Sequence, residues 1–267
     1  MTATLTRTIR PPATIRRRRR FRGRKLVLGG GLLVLLLVVW ELAARANPHV
    51  QLLASSPSEV AATLVAFSGD GTFWSVHVLA TAEGFAAGFV VAVVGGLGLG
   101  VLMGWRRGVR ETLEPFVFVV NAVPGIALIP LFMVWFGYGF TYQVVVVASW
   151  SFFPVLLNTM AGVRAADPAL LRMARSFGAS TKRLLWTVAL PDAAPLVFAG
   201  VQQALTHAVT GIVGAQMWAS ASGLGWVIAN AAMNIQVEQI IAATVVVAVS
   251  GALLNELLGA VARRWTR

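Results

Sequence analysis

The 267-residue chain has no cysteine and only three histidines, His49, His77 and His207, which are widely separated. Disulfides and thiolate-bound metals are thereby excluded, and no metal-ligand spacing joins the histidines. Charge is scarce as well: 12% of the residues are charged, against about a quarter in a soluble domain. No glycine-rich loop ends in Gly-Lys-Ser/Thr, so no phosphate-cradling motif for ATP hydrolysis is present, and no catalytic constellation stands out. What is abundant is apolar: 57% of the chain, with a mean hydropathy of +0.76. That composition is that of an integral membrane protein rather than a soluble domain.

Crossing about 30 Å of hydrocarbon takes roughly 20 apolar residues. Six stretches qualify: Leu26–Ala44, Trp74–Met103, Pro115–Phe136, Tyr142–Val163, Pro195–Ala215 and Gln239–Val261. The predicted fold is therefore an all-α bundle of six transmembrane helices spanning residues 26–267, preceded by a basic tail, 1–25. The net charge of +12 could suggest nucleic acid, but the positions of the charges speak against it. Ten Lys and Arg precede the first span and three follow the second; five lie between the fourth and fifth, and three close the chain. Six alternating spans put all of these on one side. The exception is Arg45, four residues after Glu41 and well placed to pair with it. Loops rich in Lys and Arg stay in the cytoplasm, so both termini are expected inside a bacterial inner membrane, and nucleic acid is not expected as a partner. The tail "RRRRRFRGRKLVLGGGLLVLL" is similar to a twin-arginine export signal, with "ARA" at 44–46 as a cleavage site. Its apolar core of 19 residues exceeds the roughly 7–15 of a signal peptide, which favours a retained span. The polybasic run could also touch anionic headgroups.

One stretch interrupts the apolar pattern. "RMARSFGASTKRLLWTVALP", Arg172–Pro191, carries four basic residues and no acid. Upstream, Asp167 suits an N-cap and Pro168 a first helical position. Leu170, Leu171, Ala174 and Phe177 recur at helical spacing. Gly178 suits a left-handed corner. Ser180 or Thr181 caps a second helix, and Pro191 is expected to stop it. A basic amphipathic hairpin of this kind can simply anchor at the membrane surface.

Its spacing carries a further resemblance. The permeases of ABC transporters have a cytoplasmic-loop signature: E-A-A, three residues, G, nine residues, I-x-L-P. Here Arg172, Met173 and Ala174 stand at the first three positions. Gly178 stands at the glycine, and Val188, Ala189, Leu190 and Pro191 at the last four. The chain resembles the nitrate/sulfonate/taurine branch of binding-protein-dependent permeases. "WELAAR" (40–45), "SSPSEVAATL" (55–64) and "GFAAGFVVAVVGGLGLGVLMG" (84–104) are similar to its first two spans and the segment between them. "VPGIALIPLFMVWFGYG" (123–139), "FFPVLLNTMAGVRAADP" (152–168) and "ASASGLGWVI" (219–228) follow in the same order. The resemblance implies a type I ABC importer fold in which residues 164–192 form a coupling helix. That helix would dock on the ATPase through Arg172, Met173, Ala174, Arg175, Gly178, Ala179, Val188, Leu190 and Pro191. It also implies two ATPase subunits, an external substrate-binding protein and a second permease, as a homodimer or a paired relative. ATP and Mg would sit in the partner ATPase, with no cofactor in this chain. The departures are Arg172 and Met173 for the usual Glu-Ala, Asn121 and Ala122 before Val123-Pro124 where an arginine is usual, and Gln216 where a glutamate is common.

Polar residues inside apolar spans are candidates for the solute path. They are Asn121, Pro124 and Gly125 in the third span, Asn158 in the fourth, and Gln203 and His207 in the fifth, with Gln216 beyond them. Gln203, Thr206, His207 and Thr210 share one helical face by spacing. Interhelical hydrogen bonding is the plainer role for any one of them. Pro124 and Pro130 in one span predict a broken helix. No fixed cation lies deep in a span, which suits conduction of a small anion better than tight retention. The expected function is the permease subunit of an ATP-driven importer for a sulfonate, taurine, nitrate, or a vitamin or its precursor. The alternatives are a secondary transporter or a membrane assembly protein; inverted repeats and midplane ion sites, the marks of the former, are not evident.

Overall fold

The computed structural model describes residues 20–265. The basic tail expected at 1–25 lies mostly outside the described residues, as does Arg267. The described residues fall into two compact units, one ending at Ser58 and one beginning at Glu59.

In the first unit a long helix, α1 (Arg20–Ala46), is followed by a short one, α2 (Pro48–Ala54). Three polar contacts tie the end of α1 to the residues that open the next helix, α3 (Pro57–Gly69). The Trp40 indole N–H donates to the Ser55 carbonyl at 3.1 Å. Glu41 accepts the Ser58 backbone N–H at 3.0 Å and its hydroxyl at 2.8 Å. The same carboxylate holds Arg45 at 2.6 Å. Glu41 thus sits at a helix N-terminus, where unpaired amides and the helix dipole favour a negative charge. The two motifs "WELAAR" and "SSPSEVAATL" are hydrogen-bonded to each other.

The second unit is a helical bundle. A π-turn, Phe73–Val78, leads into α4 (Leu79–Trp105). Then follow α5 (Arg107–Asn121), α6 (Gly125–Phe136), α7 (Phe140–Arg164), α8 (Pro168–Ser176) and α9 (Thr181–Leu184). A second π-turn, Leu185–Ala189, runs into α10 (Leu190–Ala219); α11 (Leu224–Met233) and α12 (Val237–Trp265) complete the chain. Five helical runs are long and apolar enough to span a bilayer. The pair α5 and α6, bent by 93° at a short break, brings the number to six when counted as one broken span.

The core is α4 on α7 on α10. Gly84, Gly88, Ala92, Gly96 and Gly100 recur every fourth residue, so they form one stripe on α4. A Cβ at Gly88 would lie 2.6 Å from the Val147 Cβ, and one at Gly100 2.7 Å from the Thr159 Cβ. Between apolar helices in lipid, association depends on close packing rather than on hydrophobic burial. A small-residue stripe provides it.

Three element boundaries differ from the sequence reading. The third span starts at Arg107, not Pro115, because an extended Arg106 resets the chain and an Arg107–Glu111 pair at 2.6 Å supports the first turn. The break in that span falls at Ala122–Pro124, while Pro130 is accommodated inside α6. Pro191 does not stop the second helix of the hairpin. Residues 181–219 form one helical run of 39 residues. A proline ring in a helix collides with the carbonyl four residues back. Here the π-turn shifts the ladder, so that Leu190 N–H donates to Leu185 O five residues back, and the wider turn makes room for the ring.

Candidate functional site

The break between α5 and α6 opens one side of a cavity of about 550 Å³. Asn121, the last residue of α5, and Gly125, the first of α6, line it, with Pro124 in the extended link between them. Gly125 is fixed by contact. The Trp150 indole of α7 lies so close that any Cβ there would overlap it. Opposite stand Asn158 of α7 and Gln203 and His207 of α10. The Asn158 amide donates to the Pro154 carbonyl at 2.8 Å and to the Gln203 side-chain oxygen at 3.4 Å. Gly200 permits this approach, since a Cβ there would lie 2.6 Å from the Asn158 Cβ. The wall is therefore amides, one imidazole and aromatic rings. Among the described residues no lysine or arginine lines it.

The structure brings together Asn121, Gly125, Asn158, Gln203 and His207, but not all the residues singled out beside them. Thr206 and Thr210, which share a helical face with Gln203 and His207 by spacing, line a different groove, between α10 and α12. Their hydroxyls donate to carbonyls of their own helix, Gln202 O at 3.5 Å and Thr206 O at 3.1 Å. A four-residue step turns a helix by 400°, so an apolar-facing and a polar-facing residue can share one loosely drawn stripe.

Gln216 is also outside the cavity. It is fully buried and belongs to a clamp on the start of α11. Three successive backbone amides there are capped by side chains of other helices. Gly223 N–H donates to His77 Nδ1 at 3.2 Å, Leu224 N–H to the Thr81 hydroxyl at 2.8 Å, and Gly225 N–H to the Gln216 carbonyl at 3.2 Å. Thr81 also donates to Gln216 at 2.9 Å, and Gln216 to Gln143 at 3.3 Å. These are helix-end donors that a membrane interior would otherwise leave unsatisfied. The roles of His77, Thr81 and Gln143 escape sequence reasoning; the one signal is the four-residue spacing of the first two.

The hairpin between α7 and α10 is exposed. Asp167 accepts the Ala169 N–H at 2.7 Å and Ser180 accepts the Arg183 N–H at 3.4 Å, so each short helix has a side-chain cap. Gly178 joins them at φ +79°. Arg172, Met173, Arg175 and Pro191 are exposed, whereas Ala174, Ala179, Val188 and Leu190 are half-buried. Leu170, Met173, Phe177 and Trp186 add a large unpartnered apolar surface among the bases, Phe177 being 84% exposed. Leu184 and Ala189 point inward and are buried. On the neighbouring helices Arg164 pairs with Glu114 at 3.8 Å.

Apolar spans with one bent pair, a polar cavity beside the bend and an exposed basic hairpin are the arrangement of a membrane transport subunit. Comparison with known proteins agrees. Residues 96–267 match the family described as the inner membrane component of binding-protein-dependent transport systems. The chain is 31% identical to the taurine transport system permease protein TauC of Escherichia coli, over 91% of this chain and 90% of that one. It is 30% identical to the putative aliphatic sulfonates transport permease protein SsuC of the same organism, over 87% and 88%. It is 33% identical to the riboflavin transport system permease protein RibX of Chloroflexus aurantiacus, over 72% of each. In fold it is similar to the inward-facing MetNI methionine ABC transporter, with a TM-score of 0.62 at 18% identity, over 74% of this chain and all of that one. It is also similar to a bacterial ABC transporter involved in alginate import, with a TM-score of 0.57 at 14% identity, over 93% of this chain and all of that one. The chain belongs to the binding-protein-dependent transport family of inner-membrane components. It is a multi-pass permease subunit of an ATP-driven importer, a transport protein whose family implies ATPase and binding-protein partners.

Proposed function

We propose that this subunit conducts a small anionic or zwitterionic solute, of the sulfonate or taurine type, past the broken third span. The observation that carries the reading is the cavity: Asn121, Asn158, Gln203 and His207, from three helices, line one space that no fixed cation occupies. Amides and an imidazole can hydrogen-bond oxyanions in passing, whereas a buried guanidinium would retain them. The naming of two relatives for taurine and aliphatic sulfonates supports the class. Nitrate and a vitamin or its precursor remain within the same reading.

The hairpin at 164–192 docks on a separate ATPase in this reading. Arg172, Met173, Arg175 and Pro191 lie on its exposed surface, and Ala174, Gly178, Ala179, Val188 and Leu190 set its shape. ATP and Mg are held by that partner, and this chain does no chemistry of its own. Two copies form the membrane core as a homodimer. Both termini and Gly178 face the cytoplasm, supported by the charge asymmetry of the loops.

The test is uptake of labelled taurine, an alkanesulfonate and nitrate by proteoliposomes holding the permease, its ATPase and its binding protein. Uptake of one of them that Asn158→Leu and Gln203→Leu abolish supports the path; uptake unchanged in both variants refutes it. Because the chain has no cysteine, a single Ser180→Cys reports sidedness directly. Its labelling by an impermeant reagent in intact cells refutes the topology.

A further inference from the structure

Two adjoining cavities lie along α10 and α12, the first also bordered by α4, and together they form a second groove. Its apolar half, about 290 Å³, is lined by Phe85, Val209, Ile212, Val247 and Gly251 among others. Its other half, about 270 Å³, shares Val209, Val247 and Gly251 and ends at Thr206 and Asn255. Gly251 keeps the channel open: a Cβ there would find only Val209 methyls, at 3.6 and 3.7 Å. One helical turn beyond Asn255 lies Gly259. The Gln202 amide nitrogen and an Arg263 guanidinium nitrogen each come within 3.3 Å of where its Cβ would be. Polarity therefore changes along this side of α12: an apolar pocket, then the hydroxyl and amide groups of Thr206 and Asn255 at the end of the groove, then, one turn beyond it, the Gln202 amide and the Arg263 guanidinium beside Gly259.

We propose that this groove binds an anionic glycerophospholipid, headgroup at Arg263 and one acyl chain along Gly251 and Val209. Three observations select that occupant. The polarity gradient is that of a phospholipid: charge, then an ester-like polar band, then hydrocarbon. The dimensions agree, since Arg263 to Gly251 is about 18 Å along a helix and one leaflet's hydrocarbon is about 15 Å deep. The charge is right for a phosphate diester: basic residues between spans at the membrane surface collect anionic headgroups. Arg263 has no ion-pair partner among the described residues, and Glu256, the nearest acid on α12, is exposed and does not line the groove. A space of this size takes a chain, not a helix. The site is independent of which solute the transporter carries.

The experiment is native mass spectrometry of the full permease–ATPase complex, released from nanodiscs of phosphatidylcholine mixed with phosphatidylglycerol. Retention of phosphatidylglycerol about fivefold above its mole fraction is expected from one basic contact at an anionic surface. Arg263→Gln is expected to remove the preference, and Gly251→Leu, which fills the groove at a position with room for a side chain, to remove the lipid altogether. Glycerol 3-phosphate added in excess is expected not to displace it, because the acyl chain supplies the hold; displacement by it would make the site a simple phosphate site and overturn the lipid assignment. Equal retention of the two lipids, or a preference that survives both variants, also overturns the proposal. So does a photoreactive label on Ala252→Cys that crosslinks to protein rather than to lipid, which would give the groove to a second copy of the chain.

Discussion

Asp192, in the first turn of α10, accepts the backbone N–H of Asp167, the cap of α8, at 3.1 Å. One carboxylate thereby joins the first half of the basic hairpin to the helix that forms the second half. Without it, α8 is held to α10 only through the Gly178 corner and modest packing.

We expect Asp192→Ala to weaken capture of the ATPase by about fivefold, the equivalent of one hydrogen bond of roughly 1 kcal/mol. Insertion and expression are expected to be unchanged. Asp192→Asn keeps an acceptor oxygen and is expected to retain most of the interaction. Pull-down of the ATPase by the purified permease checks both; equal capture by all three proteins would show that the hairpin is held by packing alone.

Gly178 takes φ +79° with no atom within 4 Å of a Cβ position. A side chain there meets no clash, so the penalty is purely conformational. Gly178→Val is expected to cost about 1–3 kcal/mol of backbone strain and to abolish transport while the six spans stay inserted. Gly178→Asn, whose residue type visits the left-handed region more readily, is expected to keep partial activity. Uptake and ATPase capture in the same preparation separate the outcomes; full transport by the valine variant would reduce the hairpin to a surface anchor.

Gln203 and Thr206 sit one turn apart on α10 and do different things. Gln203 faces the cavity and meets Asn158, while the Thr206 hydroxyl is bonded to its own helix. Gln203→Leu is expected to lower uptake at least tenfold, the effect of losing roughly 1.4 kcal/mol on the path. Thr206→Val is expected to leave it within about twofold, since the bond it removes is one of the weak interior kind. Initial rates in proteoliposomes decide, and equal effects would mean that spacing, not the cavity, defines the functional face.

Gly100 lies in the tight seam between α4 and α7. Its Cβ position lies 2.7 Å from the Thr159 Cβ and 2.8 Å from the Leu156 carbonyl, so both side chain and backbone would have to move. Gly100→Leu is expected to destabilise the bundle by more than the roughly 1–3 kcal/mol typical of overpacking. Gly98, which has nothing within 4 Å, is expected to tolerate leucine. Thermal unfolding of the two variants in detergent provides the comparison.

Much of this architecture was legible in the sequence because lipid imposes so few solutions. Runs of about 20 apolar residues can only be helices, and basic residues in alternate loops order them. Local chemistry was legible for the same kind of reason: Asp167, Pro168, Gly178 and Ser180 each act within a few residues of themselves. What could not be read depends on distant partners. Nothing near Glu41 says that it will reach Ser58, and nothing near Gln216 says that it will cap Gly225 from the preceding helix. Pro191 was misread because a local rule, that proline ends helices, was applied without the π-turn that relieves it. The cavity residues were partly separable from their neighbours. Asn158, Gln203 and His207 are polar where the surroundings are not, but so are Thr206 and Thr210, and only packing against α12 tells them apart.

The uninterrupted helix from Thr181 to Ala219 has a mechanical meaning. It is roughly 58 Å long at 1.5 Å per residue. One end is the exposed basic hairpin, the middle is the wall bearing Gln203 and His207, and the far end is the Gln216 clamp on α11. A beam of that kind needs no relay of side chains. A tilt of its basic end would be carried along the helix to the wall, and on to α11 through the hydrogen bond from Gly225 N–H to Gln216. The π-turn at Leu185–Ala189 gives it a compliant joint, placed between the basic hairpin and the wall.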